Sequence, residues 1–150
     1  MSIDAIYNTK ILDLAGNIGG IGRLDAPDGT AKAHSKLCGS TVVVDVVVDH
    51  RNKVADFAQD VKACALGQAS ASILAANVIG ADLEELKDGQ AQLKAMLKDN
   101  GPPPTGRFEE LKFLEPVRDY RARHASTMLA FDAVVEATEQ ALAKGEVEVA

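Results

Sequence analysis

The stretch TVVVDVVVDHRNKVADFAQDVKA, residues 41–63, holds two segments with the side-chain alternation that is typical of β-strands. In the first segment the even-numbered valines share one face, and the opposite face carries aspartates between valines. Residues 49–52, Asp-His-Arg-Asn, are typical of a tight turn. In the second segment Phe57, Gln59 and Val61 share one face. The stretch therefore predicts a β-hairpin with one buried and one wetter face.

Helical spacing of apolar residues dominates the chain after this hairpin, over residues 64–99. Gly80 is predicted to end the first helix of this region. Asp82 with Glu85 three residues later resembles a capping box, which predicts the start of a second helix. Asp88 is a candidate cap for a further helix.

The motif NGPPPTG, residues 100–106, predicts a break before the C-terminal part of the chain. A short helical piece is expected after it, with Pro116 as an interruption. The last helix is predicted over residues 121–144, with Gly145 as its stop. It should bury apolar residues that recur at helical spacing, namely Met128, Phe131, Val134, Val135 and Leu142.

The first 35 residues predict one helix and one loop. Ser2 is a candidate cap for the helix, and Gly16 is a plausible stop. The following GNIGGIGRLDAPDGTAKAHS, residues 16–35, is rich in glycine and turn residues and predicts an extended surface loop. Its glycines follow a helix and not a strand, which excludes a dinucleotide-binding fingerprint. The order helix, strands, helices predicts a single α+β domain over residues 1–150.

Composition restricts the classes of function. The net charge of −6 and the pI near 5.0 argue against nucleic acid as a partner, because phosphate binding needs a basic patch. No apolar run approaches the roughly 18 residues of a membrane span. The N-terminal MSIDAIYNTK lacks the basic and apolar regions of a signal peptide. Two cysteines are too few for a disulfide scaffold, so the cytoplasm is the expected location.

The two cysteines, Cys38 and Cys64, flank the predicted hairpin. If the hairpin forms, both can meet at one end of the sheet. Cys64 precedes a helix of small residues, where free backbone N–H groups and the helix dipole would stabilise a thiolate. The alternative is that each cysteine is a small buried hydrophobic residue.

These residues resemble the U-type iron–sulfur cluster assembly scaffold family, which includes IscU, SufU and the N-terminal domain of NifU. In that family a Cys-Gly-Asp precedes a strand, a second Cys opens a helix of small residues, and a third Cys lies in the last helix. Here LCGSTVVV, with Cys38 and Gly39, is similar to the first element, and KACALGQASAS, with Cys64, is similar to the second. LEPVRDYRARHASTMLAFDA, residues 114–133, resembles the last helix and the turn before it.

The resemblance extends from about Ile6 to Leu142. It implies an α+β domain with a small antiparallel sheet of about three strands, packed against a layer of helices that includes a long C-terminal helix. The extra residues NGPPPTGRFEEL, 100–111, stand where SufU-type proteins carry an insertion, so the resemblance is closest to that type.

Two ligand positions differ from the family pattern. The Asp after Cys-Gly is Ser40 here, and the third Cys position aligns with Ser126. The His that precedes that Cys in IscU-type members is replaced, and His124 lies one residue further upstream. Zinc and iron–sulfur clusters need about four donors, mainly thiolates and imidazoles, and hydroxyls are poor substitutes. The candidate metal or cluster residues that the resemblance implies are Cys38, Cys64, Ser40, Ser126 and His124. For His124, a solvated residue in the first helical turn is the favoured alternative.

The resemblance implies a carrier role and no enzyme activity. In this role Cys38 or Cys64 accepts persulfide sulfur from a cysteine desulfurase, and the protein holds a transient iron–sulfur cluster or a zinc ion for recipient apo-proteins. The second hypothesis is a divergent protein without bound metal or cluster, acting as a binding or structural subunit of a larger complex. The third is a thiol oxidoreductase, which would need the two cysteine Cα atoms within about 7 Å.

Overall fold

The structure, a computed structural model, describes residues 7–36 and 39–149, and for residues 145–149 it describes the backbone alone. In chain order the elements are α1 Thr9–Gly16, β1 Gly29–His34, β2 Thr41–Val48, β3 Val54–Lys62, α2 Ala65–Asn77, α3 Leu83–Lys98 and α4 His124–Val149. Two 3₁₀ segments, Gly106–Asp119 and Arg121–Arg123, connect α3 to α4. The predicted α+β class is confirmed.

The three strands form one antiparallel sheet in the order β1-β2-β3. Thr41 pairs with Lys62 and Val46 with Phe57, which confirms the predicted hairpin. The turn between these strands contains Asn52 at φ 62°, a left-handed conformation that asparagine tolerates in turns. The even-numbered face is the buried one, as expected, and its fully buried members are Val42, Val44 and Val46.

The helices cover the buried face of the sheet. α4 packs across β1 and β2, and α2 contacts both α1 and α4. Phe131 of α4 meets Phe108 edge-to-face, with ring centroids 5.2 Å apart. The long C-terminal helix is confirmed, and four of its predicted inward residues are buried: Met128, Phe131, Val134 and Val135. Leu142 is only half-buried, and Ala141 is the buried residue of that turn.

The prediction of a surface loop over residues 16–35 is wrong at its C-terminal end, because residues 29–34 form β1. The segment GTAKAH has few residues that favour strands, so the strand is decided by pairing with β2 and by the helix above it. Gly29 pairs with Val46 and lies against α4. A Cβ atom at Gly29 would collide with the carbonyl oxygen of Ala137, so this close approach requires glycine.

The wetter face predicted for β2 is wrong at Asp45, which is fully buried. The segment before β1 covers it. Gly20 accepts a hydrogen bond of 2.7 Å from the backbone of Gln59, and Gly22 donates one of 2.9 Å to the same residue, so the segment runs along the free edge of β3. It then folds over the sheet, where Arg23 and other donors bind the Asp45 carboxylate.

Two helix predictions in the middle of the chain need correction. α2 ends at Asn77, and Gly80, at φ 88°, lies in the turn that follows. α3 is unbroken from Leu83 to Lys98, so Asp88 caps no helix. The capping box of Asp82 and Glu85 is confirmed, since each side chain accepts a hydrogen bond from the other residue's backbone.

Two further boundaries differ in the C-terminal part. Pro116 lies inside the first 3₁₀ segment and does not interrupt it, because the fixed φ of proline suits a 3₁₀ backbone. The backbone departs from helical geometry at Phe108 instead. α4 continues through Gly145 to Val149, since a glycine inside a helix costs only about 1 kcal/mol relative to alanine.

At the N-terminus, α1 begins at Thr9, and the Asn8 side chain caps it by accepting a hydrogen bond from the backbone of Ile11. The predicted cap Ser2 lies outside the described residues, whereas the predicted stop at Gly16 is confirmed. In the described part of the chain, no helix is both long enough and apolar enough to span a membrane.

Candidate functional site: a thiol beside a buried hydroxyl

Cys64 stands between the end of β3 at Lys62 and the first residue of α2 at Ala65. It occupies the cap position of α2 with an extended backbone, and its side chain makes no capping hydrogen bond. The thiol is half-buried and belongs to no disulfide. The predicted placement of Cys64 at a strand-to-helix junction is therefore confirmed. Cys64 therefore stands at the N-terminal end of α2, where the helix dipole has its positive end.

A polar partner of the thiol comes from the start of α4. Cys64 Sγ lies 3.4 Å from Ser126 Oγ, although 62 residues separate the two in the chain. Ser126 is 1% exposed, and its hydroxyl donates to the carbonyl oxygen of Arg123 at 3.2 Å. The structure thus places Ser126 against Cys64, where the resemblance put the third cysteine.

The small residues of α2 explain how the two helices come so close. A Cβ atom on Gly67 would lie 2.8 Å from the Cβ of Ala63 and 3.0 Å from the carbonyl oxygen of Ser126. Contacts at these distances are tighter than van der Waals packing allows, so a side chain there would push α4 away from α2. The glycine therefore helps to bring Ser126 to the thiol.

Ser40 lies at the same end of the sheet. Thr41 pairs with Lys62, so the register carries Ser40 towards the junction that holds Cys64. Ser40 is 4% exposed, and its carbonyl oxygen accepts a hydrogen bond of 2.9 Å from the backbone of Ser35. Cys38 lies outside the described residues.

His124 is buried, and its Nε2 atom is bound to backbone carbonyl oxygens and so is not free to bind the thiol. It is 5% exposed, and Nε2 lies 3.0 Å from the carbonyl oxygen of Val117 and 3.1 Å from that of Arg118. Because both partners are acceptors, Nε2 carries a proton and donates to them. The favoured expectation of a solvated histidine is wrong, because His124 fastens the preceding 3₁₀ segment to the start of α4.

The described donor set does not fit a zinc ion or an iron–sulfur cluster. Over residues 7–36 and 39–144, no three side chains of the His, Cys, Asp or Glu type are grouped to hold a metal. Cys64 contributes one thiol, Ser126 adds only a neutral hydroxyl, and Nε2 of His124 is bound to carbonyl oxygens. Such sites need about four donors, mainly thiolates and imidazoles.

Sequence analysis missed two contributors to this site. Thr127 Oγ1 donates to the Arg123 carbonyl oxygen at 2.8 Å, so this oxygen accepts from two adjacent hydroxyls. Gly67 provides the close approach of α2 and α4. The run of serine and threonine after His124 is a local signal for hydroxyls that bind a carbonyl one turn earlier. The run of small residues after Cys64 is the local signal for close packing at this helix, although it does not single out Gly67.

Comparison with known proteins identifies relatives of the whole chain. The family model described as NifU-like N terminal domain matches residues 6–127. The crystal structure of a nitrogen-fixing NifU-like protein (N-terminal) from Brucella abortus is 56% identical, with a TM-score of 0.91, over 95% of this chain and 98% of that chain. No curated protein sequence matches the chain.

Two more distant structures share the fold. A candidate iron–sulfur cluster assembly scaffold protein for the SUF system from Fervidobacterium islandicum AW-1 is 18% identical, with a TM-score of 0.82, over 91% of this chain and 99% of that chain. A hypothetical protein solved at 2.3 Å is 23% identical, with a TM-score of 0.79, over 91% and 99% of the two chains. At these identities the likeness shows the fold alone. The family model and the Brucella relative go further, and they show that this chain belongs to the NifU-like N-terminal domain family.

Proposed function

We propose that this protein works in iron–sulfur cluster assembly as a scaffold-family sulfur acceptor, and that it receives persulfide sulfur from a cysteine desulfurase at Cys64. Membership of the NifU-like family supports the pathway. The single observation that supports Cys64 as the acceptor is its half-buried thiol at the start of α2. Cys38 is the second candidate acceptor. The expected location is the cytoplasm, where the thiol stays reduced.

The transfer is a thiol–persulfide exchange. The Cys64 thiolate attacks the outer sulfur of the desulfurase persulfide, a new S–S bond forms on Cys64, and the S–S bond of the donor breaks. The electron pair leaves with the desulfurase cysteine as its thiolate. Cys64 then carries the persulfide, which recipient apo-proteins or a cluster under assembly consume. The residues that the structure describes supply too few donors to hold a cluster by themselves, so the transfer step above uses the Cys64 thiol alone.

Site-resolved mass spectrometry tests the proposal. After incubation with desulfurase and cysteine, trypsin separates the two thiols, because Cys38 lies in peptide 37–51 and Cys64 in peptide 63–87. We expect one added sulfur on the second peptide, and its loss in Cys64→Ser. The parallel variant Cys38→Ser shows how much of the added sulfur depends on Cys38. If both peptides stay unmodified while a three-cysteine family member is modified alongside, the proposal is wrong.

A second function is favoured by the two serines. Ser40 and Ser126 are buried, and the Ser126 hydroxyl is bonded within the protein, which suits a subunit that has lost cluster chemistry and retains a binding role. The discriminating test is the double variant Cys38→Ser/Cys64→Ser in a strain that depends on this protein. Full complementation by that variant would favour the binding subunit, and loss of complementation favours the sulfur acceptor.

A further inference from the structure

We propose that Ser126 is a positioning residue for the Cys64 thiol, and that its hydroxyl turns from a backbone carbonyl to the sulfur once the thiol has released its proton to water on its exposed side, before the sulfur attacks. The inference rests on the proposed function, since it names the residue that assists sulfur acceptance. It replaces the role of metal ligand, which the resemblance implied for this position, with a role in directing the thiol.

The hydroxyl of Ser126 has two neighbours and one proton. It lies 3.2 Å from the Arg123 carbonyl oxygen and 3.4 Å from Cys64 Sγ. A carbonyl oxygen can only accept, so while the hydroxyl donates to Arg123 it can only accept from the thiol. In this resting arrangement the S–H bond of Cys64 points at Ser126 Oγ, which fixes the orientation of the side chain.

The second arrangement follows from negative charge on the sulfur. A negatively charged sulfur has no proton to donate, so the Ser126 hydroxyl rotates about its Cβ–Oγ bond and donates to it. Hydrogen bonds to an ionised partner are roughly twice as strong as those between neutral groups. The new bond therefore more than offsets the one that the hydroxyl gives up.

Thr127 lowers the free-energy cost of this rotation. Its hydroxyl donates to the same Arg123 carbonyl oxygen at 2.8 Å, so that oxygen keeps a partner when Ser126 turns away. An unsatisfied buried carbonyl would otherwise oppose the rotation. The two adjacent hydroxyls therefore have different roles. Thr127 keeps its hydrogen bond at the start of α4, and Ser126 can turn to donate to the sulfur.

The contact between the Ser126 hydroxyl and the Cys64 thiol lies in a buried part of the protein. Ser126 is 1% exposed and Thr127 is fully buried, so water does not compete with either hydroxyl. The thiol itself is half-buried and can meet a partner's persulfide from the exposed side. A serine at position 126 also cannot form a disulfide with Cys64. The serine therefore keeps the thiol available.

The experiment measures the rate at which iodoacetamide alkylates Cys64 at a fixed pH, read separately from Cys38 on the two tryptic peptides. Ser126→Ala is expected to slow Cys64 by roughly threefold to tenfold, because losing a charge-assisted hydrogen bond lowers the thiolate fraction while the remaining thiolate becomes somewhat more nucleophilic. The rate at Cys38 serves as the internal control and stays unchanged. Ser126→Thr, which keeps the hydroxyl, restores most of the rate.

Thr127→Val is the matched control, because it removes a hydroxyl from the same carbonyl without touching the thiol. Because the Arg123 carbonyl oxygen then has no second donor and opposes the rotation, we expect it to slow Cys64 by less than Ser126→Ala does. Ser126→Gly removes the Ser126 hydroxyl if the alanine variant does not fold. An unchanged Cys64 rate in a folded variant without the Ser126 hydroxyl overturns the proposal, as does an equal loss in Thr127→Val. The assay contains no desulfurase, so it can succeed even where sulfur transfer fails.

Discussion

Arg23 and Asp45 form an ion pair in which Nε lies 2.7 Å from Oδ2 and Nη2 lies 3.1 Å from Oδ1. Asp45 is fully buried, and it also accepts from the backbone of Leu24 at 3.0 Å and from Thr30 Oγ1 at 2.6 Å. The carboxylate therefore holds the segment before β1 against the outer face of β2, and it also binds a side chain of the neighbouring strand β1. Asp45 is the polar centre of this contact, which the backbone hydrogen bonds of Gly20 and Gly22 with Gln59 extend along β3.

This carboxylate should give the fold an acid-sensitive contribution. Burial alone would raise the pKa of Asp45, but the hydrogen bonds from Arg23, Thr30 and Leu24 outweigh it and hold the pKa below its usual value. The contribution is therefore complete above the unfolded pKa of about 3.9 and is lost as the pH falls through the lower folded pKa. We expect Asp45→Asn to lower the free energy of unfolding at pH 7 by about 2 kcal/mol, and to flatten its decline in acid. Urea unfolding at several pH values measures this. Asp25→Asn, an exposed aspartate in the same segment, should change little, and an equal loss there would contradict the assignment.

Asp132 on α4 should behave in the opposite way. Burial raises its pKa, although Gln90 donates to its carboxylate at 2.8 Å and Lys94 and Lys98 lie near enough to favour the charge. A raised pKa means that ionisation at neutral pH opposes folding. Asp132→Asn keeps an acceptor for Gln90 and is expected to raise the melting temperature at pH 7 by roughly 2–4 °C. The gain should vanish in acid, where the aspartate is already protonated. A melting temperature that falls at pH 7 would show that the charge is needed.

The contact between β1 and α4 leaves no room for a side chain at Gly29. A Cβ there meets the Ala137 carbonyl and lies 2.9 Å from the Ala141 nitrogen, both backbone atoms of α4. Gly29→Ala should therefore cost about 3 kcal/mol, at the upper end of overpacking effects. Gly16→Ala is the matched control, because its Cβ meets nothing within 4 Å, and alanine favours the helix end. Chemical denaturation compares them, and equal stability of both variants would argue against the close approach.

Removal of metal should have little effect on stability. A bound ion stabilises the folded state only as far as its concentration exceeds the dissociation constant, and the described residues offer one thiol and no complete ligand set. A chelator is therefore expected to shift the melting temperature by less than about 1 °C. The measurement is calorimetry of the purified protein before and after chelation. A large downward shift would show that further ligands complete a site around Cys64.

Restoring the family's ligands should create a zinc site. Two donors of a tetrahedral zinc at about 2.3 Å lie roughly 3.8 Å apart, close to the 3.4 Å that separates Cys64 Sγ from Ser126 Oγ. Ser40→Asp with Ser126→Cys should therefore raise zinc affinity by orders of magnitude, and neither change alone should do as much. A competition titration with a chromophoric chelator, under reducing conditions, follows the affinity. A folded double variant that binds no better than the parent chain would contradict the convergence of these positions.

The strand pairs and caps that depend on neighbouring residues could be predicted from the chain itself. The alternation in residues 41–63 has a period of two, which suits a strand with one buried face, so β2, β3 and their turn were predictable. The capping box of Asp82 and Glu85 is local for the same reason. The spacing of Cys64 from the hairpin placed it correctly at the start of α2.

The tertiary structure alone decided the contacts between segments that are distant in the sequence. β1 forms from residues with little strand preference because β2 and α4 supply its partners, and Asp45 is buried because a segment 22 residues earlier folds over it. Ser126 meets Cys64 across 62 residues, and His124 binds two carbonyl oxygens that no periodicity reveals. Periodicity reports which face of an element is apolar, whereas these contacts depend on how the elements pack. The packing determines that the serine in the last helix lies against the thiol, and that the nearby histidine secures the backbone.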